Sequence, residues 1–159
     1  MSHKIRIHPH NDLLNLAHFN LEIINTNVSN KDFDGIALHC MNCITATAFC
    51  TEAFINYIGK KKVSSWNEKS KWYKKLQRVC KAIDYEYDLT KEPLRTIEKI
   101  KDIRNDLAHG KSIESVIEVK NKAQLRCAMA APWDEYATPE YANEAYEQVK
   151  IFMRDVLVK

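Results

Sequence analysis

The chain has 159 residues, of which 45% are hydrophobic and 28% are charged, and its formal net charge is +3. This composition is that of an ordinary soluble domain with enough material for a core, so we expect a single domain over residues 1–159 that needs neither disulfides nor metal ions. Three Gly and four Pro leave little material for hairpins, which favours helices over strands. The small positive charge permits an anionic partner without requiring one.

The N-terminal residues and the cysteines indicate the cellular compartment of the protein. Residues 1–10 form a polar leader without an apolar run, which predicts neither a signal peptide nor an anchor. No later apolar run has the length of a membrane span. The five Cys are odd in number and lack the spacing of a disulfide framework, which indicates reduced thiols. We therefore predict a cytoplasmic protein that makes no contact with a membrane.

Two helices are predicted in the first third of the chain. Asn11 is expected to cap the first, and the polar stretch 25–34 is expected to end it. The second covers roughly residues 35–59 and is apolar almost all round, which is typical of a helix in the middle of a bundle.

The only acid of the second helix is Glu52, and Asn56 lies one turn further on the same side. A carboxylate among apolar side chains is costly unless a cation pairs with it. We expect that cation to be Arg104.

Residues 60–81 carry nine Lys and Arg against one acid, Glu68. Trp72, Leu76, Val79 and Ile83 predict the buried stripe of a third helix, so the cations are expected on its other faces. These cations and nearby aromatic rings could form a track for an RNA backbone, although such runs are more often simply a solvated face. The side chains predicted to bind RNA here are Lys69, Lys71, Lys74, Lys75, Arg78 and Trp66.

Residues 84–88 are predicted to form an acidic loop, after which Thr90 is expected to cap a fourth helix with Pro93 in its first turn. The predicted inner stripe of this helix is Leu94, Ile97, Ile100, Ile103 and Leu107. Gly110 is the residue expected at a left-handed helix end.

Residues 112–120 fit helical and alternating patterns about equally, and we favour an extended segment. Thr138 and Pro139 then begin a last helix. The residues expected to face inward from it are Ala142, Ala145, Val149, Phe152, Met153, Val156 and Leu157.

The run from His39 to Cys43 suggests a zinc site at first sight. However, Cys40, Cys43, Cys50 and Phe54 share one helical stripe with Ile36 and Thr47, and no second CxxC or His pair exists. We therefore predict buried thiols, with no metal and no cofactor.

Arg104-Asn105-Asp106-Leu107-Ala108-His109-Gly110 stands where the fourth helix is expected to end. Arg matches phosphate oxygens with a permanently charged planar fork, and His can take and give a proton near neutral pH. Positions five apart on a straight helix differ by about 140° in direction and about 7.5 Å in height. Arg104 and His109 can therefore act together only if the helix ends near His109 or if a second subunit supplies the complementary group.

This segment resembles the signature of the HEPN superfamily, an Arg followed by four to six residues and a His, with a polar residue directly after the Arg. Residues 52–56 are similar to the second-helix segment of several HEPN nucleases. The resemblance implies an all-α, up-and-down bundle of about five helices, which dimerises so that two copies of the motif face each other. It also implies RNA cleavage without metal, in which a ribose 2′-hydroxyl attacks the adjacent phosphate and leaves a cyclic phosphate and a free 5′-hydroxyl.

The resemblance also implies a role for each residue. His109 would be the general base or acid, and Arg104 would hold the phosphate and stabilise its charge in the transition state. Asn105 would orient the phosphate or the His, and Glu52 would fix the Arg, with Asn56 and Asp106 as further supporting residues. DNA should be inert, because it lacks the 2′-hydroxyl.

The implied protein is a homodimeric endoribonuclease of the toxin or phage-defence kind, held in check by an antitoxin or another regulatory protein. One HEPN subgroup is silenced by modification of a Tyr two residues after the His. Lys111 stands there instead, which argues against that mode of silencing, and we count Lys111 with the RNA-binding residues.

Two other interpretations remain open. The first is a non-catalytic HEPN-like module that binds RNA, a nucleotide or a partner protein through the same cleft. The second is a structural helical dimer in which Arg104 belongs to a core salt bridge and His109 interacts with the helix dipole.

Overall fold

The structure, a computed structural model, describes residues 5–110, 112, 114, 116–118 and 120–159. Six α-helices occur in this part of the chain: α1 (Pro9–Ser29), α2 (Ile36–Lys62), α3 (Trp72–Ala82), α4 (Leu94–His109), α5 (Lys122–Ala128) and α6 (Pro139–Leu157). A short 3₁₀ helix, Asp134–Tyr136, precedes α6, and none of the described residues is in a β-strand. The prediction of an all-α bundle is confirmed, with one helix more than the five expected.

Helix α2 is the centre of the bundle and packs against α1, α3, α4 and α6. It is antiparallel to α1, because Cys50 lies against the carbonyl oxygen of His10 whereas His39, near the other end of α2, contacts Asn20. The predicted stripe of α2 is buried, including Cys40, Cys43, Thr47, Cys50 and Phe54. The expectation that this apolar helix lies in the middle is therefore confirmed.

One narrow edge of α2 reaches solvent. Leu38 and Phe49 are 70% and 41% exposed on it, and Asn42 lies between them. Glu52, Asn56 and Lys60 continue this edge toward the end of the helix, since they follow one another at intervals of four residues.

Helix α1 is longer than the sequence pattern indicated. It begins at Pro9, with His8 at the N-cap position, so the prediction that Asn11 caps it is wrong. It runs to Ser29 and therefore ends inside the polar stretch 25–34, as predicted. Within that stretch, the side-chain amides of Asn25 and of Asn143 in α6 hydrogen-bond to each other at 3.1 and 3.4 Å.

The start of α6 was predicted correctly, because the Thr138 hydroxyl accepts a hydrogen bond from the Tyr141 amide at 3.2 Å. The start of α4 was not. Pro93 occupies its N-cap position, and the Glu92 carboxylate accepts a hydrogen bond from the amide of Thr96. Thr90 does not cap the helix, because its hydroxyl donates to Asp88 in the preceding turn.

Most predicted core positions are buried, including Leu76 and Val79 of α3 and the stripe of α4 from Leu94 to Ile103. Leu157 is an exception: it lies exposed in the last turn of α6. Gly110 is also not left-handed, since its φ is −55°. A Cβ atom at Gly110 would collide with the carbonyl oxygen of Asp106, so close approach of the backbone is the reason that glycine suits this position.

Residues 112, 114 and 116–118 of the predicted extended segment 112–120 are in neither helix nor strand, and 113, 115 and 119, like 111, lie outside the described residues. Helix α5 was not predicted. Asn121 stands before it and accepts a hydrogen bond from the amide of Gln124 at 2.9 Å.

In the described chain, none of the helices is both long and apolar enough to span a membrane.

Candidate functional site

Three helices meet at an ion network centred on Glu52 of α2. One carboxylate oxygen accepts a hydrogen bond from Lys75 of α3 at 3.0 Å, and the other accepts one from Arg104 of α4 at 2.5 Å. The side chains of Lys75, Arg104 and Glu52 are only 4%, 15% and 32% exposed. The expected pairing of Glu52 with Arg104 is confirmed, and Lys75 is an additional partner.

The network has an excess of positive charge, because two cations share a single carboxylate. The Arg104 guanidinium also lies 4.9 Å from the centre of the Phe49 ring, a cation–π contact. Its Nε is buried without a hydrogen-bond partner among the described residues and is closed to solvent. The 15% of the Arg104 side chain that is exposed lies in surroundings of net positive charge, which suits an anion such as a phosphate.

The predicted RNA-binding cations separate into two groups. Lys69, Lys71 and Lys74 are exposed, as expected of a basic face. The expectation that the cations of α3 avoid its buried faces is wrong for Lys75, which is held inside by Glu52. Its position three residues after Trp72, next to the apolar stripe, was the signal that the sequence offered.

Arg78 and Trp66 have structural contacts in this region. Arg78 donates hydrogen bonds to the carbonyl oxygens of Ser64 and Ser65 at 3.0 and 3.2 Å, which ties the loop after α2 to α3. The Trp66 ring packs on Gly59, where a Cβ atom would come within 2.5 Å of the ring. Lys111 lies outside the described residues.

The motif residues of α4 do not converge within one chain. Helix α4 ends at His109, as predicted, but His109 still belongs to it. Its side chain therefore leaves the helix about 140° away from that of Arg104. Arg104 faces α2, whereas His109 and Asp106 are exposed and Asn105 is half-buried. A site that uses both Arg104 and His109 must therefore take one of them from a second chain.

Asn56 lies one turn after Glu52 on the same edge of α2. Its side-chain oxygen is buried and has no hydrogen-bond partner among the described residues. It lines a cavity between α2 and the residues that precede α1.

The thiols of α2 are positioned for packing. Burial raises the pKa of Cys40 and Cys43 to about 11 and that of Cys50 to about 12, so these thiols are protonated at neutral pH. Within the described ranges, no three His, Cys, Asp or Glu side chains form a group that could hold a metal ion.

Comparison of the chain with protein-family models, with curated proteins and with solved structures gives no match. Function must therefore be inferred from the residues of the motif and from the contacts of Glu52, Arg104 and His109.

Proposed function

We propose that the protein is a metal-independent endoribonuclease that acts as a homodimer, with Arg104 and His109 as its catalytic pair. The observation that carries the proposal is the Glu52–Arg104 contact, which joins two helices across 52 positions of the sequence. It holds a guanidinium that is 15% exposed next to a buried second cation, Lys75, and both pair with Glu52 on the solvent-facing edge of α2. His109 lies exposed at the end of the same helix that carries the guanidinium.

In the proposed reaction, the 2′-hydroxyl of a ribose loses its proton and attacks the adjacent phosphorus atom. The bond to the 5′-oxygen of the next nucleotide breaks, and that oxygen takes up a proton. His109 is the group that moves a proton, and Arg104 stabilises the negative charge that builds on the phosphate oxygens. Because Glu52 and Phe49 hold the guanidinium in place, little reorganisation is needed when that charge develops.

The first experiment is incubation of the protein with RNA in EDTA. We expect products with a cyclic phosphate and a free 5′-hydroxyl, and no cleavage of DNA of the same sequence. His109→Ala should abolish cleavage, whereas His18→Ala, at an exposed position of α1, should not. Arg104→Gln is the matched variant for the phosphate-binding role, because Glu52 keeps Lys75 as its partner. Equal activity of the His109 and His18 variants would refute the proposal.

The second experiment tests whether the site is shared between chains. Neither Arg104→Gln nor His109→Ala alone should be active, but mixing them after dissociation should restore about a quarter of the wild-type rate. Half of the randomly formed dimers are mixed, and one of the two sites in each contains an intact Arg104 and an intact His109. A site built within one chain would recover nothing.

A non-catalytic RNA-binding module is the second candidate, and the divergence of Arg104 and His109 on α4 favours it. In that case RNA should bind without being cleaved. Replacing Lys69, Lys71 and Lys74 by Ala should weaken binding and flatten its dependence on salt. Exposed Lys150 of α6 provides the control for loss of a positive charge elsewhere.

A further inference from the structure

A cavity of about 350 Å³ lies between α2 and the segment that precedes α1. His8 and His10 form one wall, and Asn56 and Tyr57 of α2 form the other. A volume of this size is at the lower end of the range for small-molecule sites.

The wall of the cavity is aromatic. The rings of His8 and His10 lie 4.8 and 4.9 Å from the ring of Tyr57, measured between centroids. Burial, with a smaller contribution from His8, lowers the pKa of His10, which keeps its imidazole neutral at neutral pH. Lys61 donates a hydrogen bond to the Tyr57 hydroxyl and so restrains that ring. Neutral, restrained rings of this kind are the surfaces on which unpaired RNA bases stack.

The side chain of Asn56 lines the cavity and carries an unused hydrogen-bond acceptor. Its Oδ1 atom is buried, turned away from the open space, and has no partner among the described residues. A half-turn of the side-chain amide, which exchanges Oδ1 and Nδ2, would present this acceptor to a ligand. A buried acceptor without a donor costs free energy, which a ligand N–H group would recover. Lys60 and Glu68, which also line the cavity, form an ion pair at 2.5 Å, and the Lys61 ammonium lies 4.3 Å from the centroid of the Tyr57 ring. The site therefore disfavours a cationic ligand.

The cavity is next to the ion network. Asn56 lies four residues after Glu52 on the same edge of α2, which is a separation of about 6 Å along the helix. Glu52 in turn holds Arg104. The distance between a base in the cavity and a phosphate at Arg104 would thus be similar to the distance between the base and the phosphate of one nucleotide.

We propose that this cavity binds one base of the RNA, which packs against His8 and Tyr57 and donates an N–H group to Asn56, whose side-chain amide turns by half a rotation to present Oδ1. The inference rests on the proposed ribonuclease for the source of the base, and it assigns to Asn56 and the segment before α1 the recognition of the nucleotide next to the cleaved bond. Asn56 is a specificity residue in this scheme and takes no part in proton transfer.

The test uses nucleosides and the full-length His109→Ala protein, so that binding is measured without cleavage. Adenosine and cytidine are each compared with the analogue whose exocyclic amino group carries two methyl groups and has lost its N–H donors. We expect the wild-type pocket to bind at least one parent nucleoside about five- to tenfold more tightly than its dimethyl analogue. Introducing Asn56→Ala should remove that preference.

Asn42→Ala is the matched control, since Asn42 lies on the same edge of α2 but does not line the cavity. If Asn56→Ala fails to fold, His8→Ala is the second variant, because His8 precedes α1 and donates no cap to it. It should weaken binding of every nucleoside, and ribose 5-phosphate should not compete.

Each outcome separates the two proposals. Nucleoside binding that depends on Asn56, in a wild-type protein that cleaves no RNA, would retain the base site and refute the nuclease. RNA cleavage with the same product pattern in the Asn56→Ala, His8→Ala and wild-type proteins, without nucleoside binding, would retain the nuclease and refute the base site. Equal binding of the parent and dimethyl nucleosides would also refute the role of Asn56.

Discussion

Glu52→Gln keeps the shape of the side chain but removes its charge, and we expect it to lower the free energy of unfolding more than most such conservative substitutions. It removes one negative charge and leaves two cations, Lys75 and Arg104, in surroundings where their side chains are only 4% and 15% exposed. Removing one partner of a buried ion pair costs roughly 3–5 kcal/mol. Because Glu52 itself is 32% exposed, water already solvates part of the network, so we expect a loss at the lower end, about 3 kcal/mol.

The assay is urea unfolding followed by far-ultraviolet circular dichroism. With an m-value of about 2 kcal/mol/M for a chain of this size, a loss of about 3 kcal/mol lowers the midpoint by about 1.5 M. Lys75→Met is the informative partner variant. It leaves Glu52 and Arg104 paired and fills the buried volume with an apolar side chain, so its free energy of unfolding should stay within about 1 kcal/mol of the wild-type value.

The control is Glu147→Gln, which removes an exposed carboxylate that pairs with Lys150 at 3.1 Å. Such surface pairs contribute about 0–1 kcal/mol, so its midpoint should hardly change. If Glu52→Gln and Glu147→Gln have the same midpoint, the ion network does not stabilise the bundle and the reasoning about Arg104 is refuted.

Three further predictions concern packing and titration. The pKa of His10 is lowered in the folded protein, so as the pH falls the unfolded chain takes up a proton at this position before the folded chain does. The free energy of unfolding should therefore be highest above pH 6.5 and decrease below it, with a smaller decrease in His10→Phe. Iodoacetamide at about pH 8 should label exposed Cys127 rapidly and the four buried thiols slowly, because a pKa of about 11 or more leaves about one thiolate in a thousand. Gly59→Ala should displace Trp66, lowering the free energy of unfolding by about 1–3 kcal/mol and shifting the tryptophan fluorescence.

Each of these predictions has an outcome that contradicts it. A pH dependence that is the same in His10→Phe and in the wild-type protein would mean that His10 is not the group that titrates on unfolding. Rapid labelling of more than one thiol in the native protein would show that at least one of the four cysteines described as buried is accessible. For Gly59→Ala, an unchanged fluorescence spectrum would mean that the Trp66 ring does not rest on this residue.

The parts of the fold that were predicted correctly are determined by residues close in sequence or by a physical requirement that leaves few alternatives. Helix α2 was predictable because its apolar periodicity is long, and the partner of Glu52 because a carboxylate on such a helix needs a cation. The Thr138 cap was predictable because the cap and its Pro are adjacent in sequence.

The parts that were missed depend on contacts distant in sequence or on weak patterns. Helix α1 begins before Asn11, and His10 in its first turn packs against Phe54 and Tyr57 of α2. Helix α5 buries almost nothing in the described structure, so no apolar periodicity marks it. The backbone of Gly110 follows from the carbonyl of Asp106, which no residue pattern encodes.

The candidate site was predictable to the same extent. The Glu52–Arg104 contact follows from the sequence, whereas the direction of His109 depends on whether the last residue of α4 keeps helical geometry. Whether His109 meets an Arg104 depends on a second chain, and the sequence of one chain does not describe the surface of a dimer.

The narrow solvent-facing edge of α2 restricts how this protein can evolve. Between the two ends of α2, a substitution on its buried sides changes the volume available to a neighbouring helix, so drift there requires compensating changes in α1, α3, α4 or α6. Along the edge, positions such as Leu38 and Asn42 can vary independently. Glu52 is the point where that freedom stops, because a change there would have to be matched on α3 and α4 at once.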